Sequence, residues 1–260
     1  MAPDSPNFFQ YHAFAHAFGA RFTRPFEHQI DSLAPSALPP TGGHGCSRVD
    51  DFRFREYFSF RAGYTHVSGS YHAGDKAFCS VASSVIEGLN MLDVITADRV
   101  VSRVYSKHHR DAPEGHITMH GSTFDNLKIC GQLVTMKLDF GLFEDVKTYE
   151  QAQAAYQSND KFKRIAHDPM RADLNLPEQK CGGAFLCSLV EGEIPLTIPG
   201  VETAGHSVYV PGFGRVYFAE VFISHGTRTL TMLRFELGST TAVNGSAVSA
   251  TTNGKQWPPP

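Results

Sequence analysis

The sequence predicts a mainly β protein, an antiparallel β-sandwich or a barrel-like domain, and three observations lead to this class. β-Branched and aromatic residues dominate residues 52–139, where they alternate with polar residues at a period of two. Turn signals rich in Gly separate these runs. Hydrophobic residues make up 42% and charged residues 19% of the 260-residue chain, proportions typical of a folded domain. We therefore expect residues 49–238 to form a single β-rich domain.

Residues 1–48 are predicted to form an aromatic arm and then a connecting loop rich in Pro and Gly. Apolar residues of the arm recur three and four positions apart, in the order Phe8, Tyr11, Ala15, Phe18 and Phe22. This spacing predicts a helix over 8–22 with one apolar face. We favour packing of that face on the domain itself. The alternative is that its four aromatic residues bind a partner subunit. Because the strand pattern begins at Phe52, we expect the β core to fold without residues 1–22.

Two features stand out within the first half of the β-rich domain. Residues 94–105 are apolar on both faces in places, which is typical of a central strand. The alternating runs 123–129 and 133–138 flank Cys130 and Gly131. A residue pair ending in Gly between two such runs predicts a tight β-hairpin.

A helical insertion over 148–167 is predicted to interrupt the β pattern. Thr148 and Gln151 have the spacing of a capping box at the start of a helix. A second short helix is predicted over 160–166, with Pro169 ending it. The β pattern then resumes and continues to residue 237. Residues 239–260 are rich in Ser, Thr and Pro, and we expect a tail that is either an extended edge segment or disordered.

Three segments of the chain resemble a known protein family when they are taken together. They are 88–100 (GLNMLDVITADRV), 121–131 (GSTFDNLKICG) and 210–216 (VPGFGRV). The sequences of these segments and their order along the chain resemble those of the β-rich proteins of choice-of-anchor family P. The resemblance covers about residues 80–138 and 205–237. The resemblance implies an all-β module. It implies no reaction and no site residues.

The candidate site residues come from the histidines and carboxylates. His116 and His120 are candidate metal ligands, but four residues along a straight strand span about 13 Å, which is too far for one ion. His66 and His72 flank Gly69 and are candidates to meet across a turn. Asp98 follows an apolar run and is a candidate catalytic carboxylate, with a hydrogen-bonded turn residue as the favoured alternative.

Composition and charge limit the partners, the cellular location and the cysteine chemistry that we expect. The formal net charge is −3 without a strongly basic segment, so we expect no nucleic-acid partner. We expect no transmembrane segment, no secretory leader and a cytoplasmic location. The five cysteines show no Cys-x-x-Cys spacing, so plain thiols are predicted rather than a disulfide framework or a thiolate zinc site.

The function predicted from these features is that of a non-catalytic binding or assembly module, expected to be a homo-oligomer without a cofactor. The alternative is an enzyme whose β scaffold encloses a small-molecule pocket lined by His, Asp and aromatic residues. A structure discriminates the two, because converging His and Asp in a cavity favour the enzyme. A filled core with exposed apolar arms favours assembly.

Overall fold

Two antiparallel β-sheets, packed face to face around one hydrophobic core, make up most of the molecule. The computed structural model describes residues 8–110, 112–144, 146–167, 169, 183–225, 227–238 and 241–257. Within them the mainly β class is confirmed, and the arrangement of the two layers is sandwich-like.

Sheet A contains the first and the last strands of the chain, side by side. Strands are numbered in chain order, and across sheet A they lie as β13 (Glu202–Ala204), β14 (Ser207–Val210), β15 (Gly214–Ser224), β16 (Thr227–Leu237), β17 (Ala242–Trp257), β1 (Phe8–Arg24) and β2 (His28–Leu33). Two short strands extend it: β12 (Ala184–Ser188) pairs with β15, and β3 (Ser36–Ala37) pairs with β1.

Sheet B is built from the middle of the chain. Its strands lie in the order β11 (Gln132–Leu133), β10 (Lys128–Ile129), β7 (Ile95–His109), β6 (Ala77–Met91), β5 (Phe58–His72) and β4 (Gly43–Phe54). Strands β8 (His116–Thr118) and β9 (Thr123–Asp125) also pair with β7. The hairpin predicted at Cys130 and Gly131 is confirmed: both residues have positive φ, 48° and 82°, and join β10 to β11.

The expectation of an N-terminal helix is wrong, because residues Phe8–Arg24 form strand β1 between β17 and β2. Tyr11, Phe18 and Phe22 are buried in the core of the chain itself, whereas Phe8 is 49% exposed. The arm therefore packs on its own domain, and three of its four aromatic side chains are unavailable to a partner subunit. Since β1 is an internal strand of sheet A, the expectation that the core folds without residues 1–22 is also withdrawn.

The alternation of inward and outward side chains reverses within β1. This reversal explains why the spacing of its apolar residues resembled that of a helix. The inward side chains occupy odd positions up to Ala17 and even positions from Phe18 onwards. Ala17 is left out of the regular pairing with β17, although His16 and Phe18 on either side of it are paired. One such position shifts a period of two by one residue, which mixes spacings of three and four into the pattern.

The predicted C-terminal tail is in fact strand β17, sixteen residues long, which pairs with β16 on one side and β1 on the other. Its small residues serve close packing rather than disorder. A Cβ atom on Gly254 would lie 2.0 Å from the Phe9 ring, and one on Gly245 would lie 2.4 Å from the carbonyl oxygen of Gly19. Composition predicted a tail because small polar residues are typical both of tails and of closely approaching backbones.

The predicted helical insertion is present. A 3-10 turn (Phe140–Phe143) precedes helix α1 (Tyr149–Ser158) and helix α2 (Asp160–Ile165). The capping box is confirmed: the backbone N–H of Gln151 donates to the Thr148 hydroxyl at 3.2 Å, and the Gln151 side chain accepts from the Thr148 N–H at 3.1 Å. No helix in the described ranges combines the length and the apolar character that a membrane crossing requires.

Candidate functional site

The largest concavity that we describe lies on the solvent side of sheet B. It has a volume of about 670 Å³, and we call it the outer groove. Its lining comes from β5, β6 and β7 and from the segment that holds β8: Tyr64, His66, Ser68, Val81, Ser83, Val85, Arg99, Val101, Arg103, Tyr105, Thr118 and His120.

Strand register explains the shape of the outer groove. On the middle strand, β6, the outward residues Val81, Ser83 and Val85 are small or medium in size. The flanking strands β5 and β7 carry larger outward side chains. Paired strands are about 4.8 Å apart, so the larger side chains of β5 and β7 lie directly beside the smaller ones of β6. The difference in size produces a trough along β6.

The lining forms three rows across the strands. In the central row Ser83 pairs with Arg103 on β7 and with His66 on β5. One flanking row contains Tyr64 beside Val85, and the other contains Tyr105 beside Val81. A polar row thus lies between two rows that each contain a tyrosine ring.

Both tyrosines are held by hydrogen bonds from their hydroxyl groups. Tyr64 donates to Glu87 at 3.2 Å, and the guanidinium of Arg48 lies 5.5 Å from the centre of its ring. Tyr105 donates to the Cys79 sulfur at 3.1 Å. Burial and this hydrogen bond raise the pKa of Tyr105 to about 12, so its phenol stays protonated at neutral pH. Because the hydroxyl groups are engaged, the rings are restrained as walls of the groove.

The formal charges on the lining are all positive. Arg99 and Arg103 are both exposed, and neither forms an ion pair within the ranges that the structure describes. Arg99 nevertheless has two carboxylates opposite it in register, Asp125 on β9 and Glu87 on β6, of which Glu87 already forms an ion pair with Arg61 at 3.1 Å. Arg103 has Ser83 opposite it on β6, so it is the arginine whose charge is less balanced by its neighbours.

The histidines and the aspartate singled out from the sequence do not converge. His66 and His120 line the outer groove. His72 lies six residues beyond His66 on the same strand, roughly 20 Å away, so the two do not meet across a turn. His72 instead accepts from the backbone N–H of Asp75 at 3.3 Å.

Asp98 is exposed at an irregular position of β7, where the pairing with β6 omits Gly88 and Asp98. Its carboxylate accepts a hydrogen bond of 2.6 Å from the side chain of Asn126. Arg99 is also exposed, although adjacent residues of a regular strand point to opposite faces. Asp98 is therefore a solvent-facing, hydrogen-bonded carboxylate rather than a buried one.

His116 and His120 have different surroundings. Burial, followed by the positive charges of Lys147 and Arg228, lowers the pKa of His116. His120 lines the outer groove and packs against Phe140, with ring centres 5.3 Å apart. Across the described ranges, no three His, Cys, Asp or Glu side chains are grouped to hold a metal ion. Four cysteines are free thiols, and Cys181 lies outside the described residues.

A second cleft, of about 380 Å³, lies on sheet A where β1 and β2 slip out of register between Phe18 and Ala20. The charged residues at its rim already have partners. Arg21 forms an ion pair with Glu27 at 3.1 Å, and Asp31 accepts from the side chain of Gln29 at 2.8 Å. This cleft therefore offers a ligand less free charge than the outer groove does.

Sequence reasoning missed the residues that dominate the outer groove, namely Arg103, Ser83, Tyr64 and Tyr105. One signal was available, because Arg99, Val101, Arg103 and Tyr105 alternate along a single strand and share one face. Their neighbours on β5 and β6 were not accessible from this signal, since pairing register depends on the whole sheet.

Comparison with known proteins gives one family. The family described as Domain of unknown function (DUF8256) matches residues 9–172 and 167–224, which is more than half of the chain. The chain belongs to this family. No curated protein and no solved structure matches it significantly. The family description names no activity, and the resemblance to choice-of-anchor family P stays a prediction.

Proposed function

We propose that this protein is a non-catalytic binding module that holds a small ligand in the outer groove. The observation that carries the proposal is the trough itself: Ser83 lies at its floor between Arg103 and His66, with a restrained tyrosine in the row on either side. Concave sites with an apolar body and a few placed polar groups are typical of ligand binding. Formation of a homo-oligomer stays a separate prediction, now without support from Tyr11, Phe18 and Phe22.

The residues that were candidates for catalysis in the enzyme alternative do not lie together. His66, His72 and Asp98 occupy different parts of sheet B, and Asp98 is bonded to Asn126. General acid–base catalysis needs such groups within hydrogen-bond reach of one substrate. Binding without turnover is therefore the function that we infer.

The proposal is tested by filling the groove. We expect Ser83→Trp to abolish binding of ligands drawn from a panel of neutral oligosaccharides, acidic oligosaccharides and dicarboxylic acids, measured by thermal shift and isothermal titration calorimetry. Thr203→Trp, on edge strand β13 of the other sheet, is the matched control and should bind as the wild type does. Panel members that bind equally to Ser83→Trp, or a panel without any binder, would contradict the proposal. Chemical conversion of a bound member would favour the enzyme alternative.

A further inference from the structure

The electrostatic preference of the outer groove is concentrated at its central row. Arg103 is exposed, and among the described residues no carboxylate lies within ion-pair distance of it. Arg99 carries the same charge but has Asp125 opposite it in register on β9, whereas Glu87 on β6 already forms an ion pair with Arg61 at 3.1 Å. An anionic group of a ligand is therefore attracted most strongly to Arg103, whose planar guanidinium presents paired N–H donors to a carboxylate.

The groove lies on the face of a sheet, which limits what kind of ligand it fits. The backbone N–H and C=O groups of β5, β6 and β7 are used in strand pairing. An extended peptide gains main-chain hydrogen bonds by adding to a sheet edge, so this face gives it no such partners. A ligand here must be recognised by side chains alone.

The side chains available suit a sugar. Ser83 and His66 provide hydrogen-bonding groups for hydroxyls in the central row. Tyr64 and Tyr105 provide ring surfaces against which the C–H groups of a pyranose can pack, one on each side of that row. A chain of sugar rings therefore finds apolar contacts on both sides of a central polar and cationic position.

We propose that the outer groove binds an acidic oligosaccharide, with the carboxylate of a uronic acid residue on Arg103 and neighbouring rings towards Tyr64 and Tyr105. This inference rests on the proposed function, because it names the ligand class of the same groove. It identifies the central row as the position that selects for charge, and the two flanking rows as positions that accept rings.

The test compares trigalacturonate with its fully methyl-esterified form, which keeps the chain and removes the charge. We expect calorimetry to show that wild-type protein binds the acid at least tenfold more tightly than the ester. Arg103→Ala should weaken binding of the acid roughly tenfold to hundredfold, as loss of a charged hydrogen bond does, and should weaken binding of the uncharged ester by a clearly smaller factor. Arg53→Ala, which removes an exposed arginine of β4 outside the groove lining, is the matched control, with an expected change below about threefold.

Several results would overturn the inference while leaving the groove as a binding site. They are equal affinity for the acid and the ester, a loss in Arg53→Ala or Arg99→Ala as large as that in Arg103→Ala, or tighter binding of a triglutamate peptide. Failure of both trisaccharides to bind also overturns it. The proposed function fails separately, if Ser83→Trp binds its panel ligands as well as the wild type does.

Discussion

Two arginines on the outer faces of the two sheets, Arg234 on sheet A and Arg103 on sheet B, have opposite surroundings. On sheet A, Glu220 is only 3% exposed, and its carboxylate accepts from His206 at 3.1 Å and from two nitrogens of Arg234 at 2.5 and 3.0 Å. The same guanidinium lies 3.6 Å from the centre of the Tyr217 ring and also pairs with Glu236. On sheet B, Arg103 is exposed, and no carboxylate among the residues that the structure describes forms an ion pair with it.

This difference separates a charge that the fold depends on from a charge at the proposed ligand site. A buried carboxylate is tolerated because several donors replace the water that it loses, so the cluster around Glu220 must stay intact for the fold. An exposed guanidinium such as Arg103 keeps its hydration and costs the fold little. It remains free to exchange that water for a ligand.

The largest expected effect comes from breaking the charge cluster on sheet A. Glu220→Ala leaves the half-buried Arg234 without its main partner, and we expect the free energy of unfolding to fall by about 3 kcal/mol. Arg103→Ala, the comparison on sheet B, should change it by less than about 0.5 kcal/mol. Urea unfolding followed by circular dichroism measures both. Similar losses in the two variants would remove the distinction between the faces.

A smaller effect is expected from the inner side of sheet A, where β17 packs closely. Gly245→Ala places a Cβ atom 2.4 Å from the backbone oxygen of Gly19, which must shift to make room. We expect a loss of about 1–3 kcal/mol. Gly238→Ala is the matched control, since no atom lies within 4 Å of its Cβ position, and its unfolding midpoint should stay near that of the wild type. An unaffected Gly245→Ala would mean that β17 does not pack between β16 and β1 as closely as described.

The smallest expected effect is a dependence on pH that the sheet A cluster confers. Burial alone would raise the pKa of Glu220, but the hydrogen bonds from His206 and Arg234 outweigh it and hold the pKa below its ordinary value of 4.5. The ionised carboxylate therefore stabilises the fold above that value, and its contribution is lost as the pH falls through the lower, folded-state pKa.

Glu220→Gln, which cannot ionise, isolates this contribution. The free energy of unfolding of the wild type should decrease more steeply than that of the variant below a pH of about 4.5. Parallel slopes for the two proteins would show that Glu220 is not the group responsible. Arg103→Ala serves as the comparison from sheet B and should follow the wild-type slope.

Predictions from the sequence succeeded where the interaction joins residues close along the chain. The turn at Cys130 and Gly131 and the cap formed by Thr148 and Gln151 depend on neighbours one to three residues apart, and both are present. The interpretation of residues 8–22 as a helix was wrong because one irregular pairing at Ala17 changed the period of the strand. That irregularity is a property of the sheet and not of the segment.

By itself the sequence determined that the protein is mainly β, where a helical insertion interrupts the strands, and which turns join some of them. Periodicity and turn chemistry are local, so they can be recognised without a partner strand. Only the tertiary structure decided that β1 and β17 lie together inside sheet A, and that His66, Ser83 and Arg103 form one row. These residues lie about twenty positions apart in sequence, and the register that aligns them is fixed by burial of the opposite face of every strand at once.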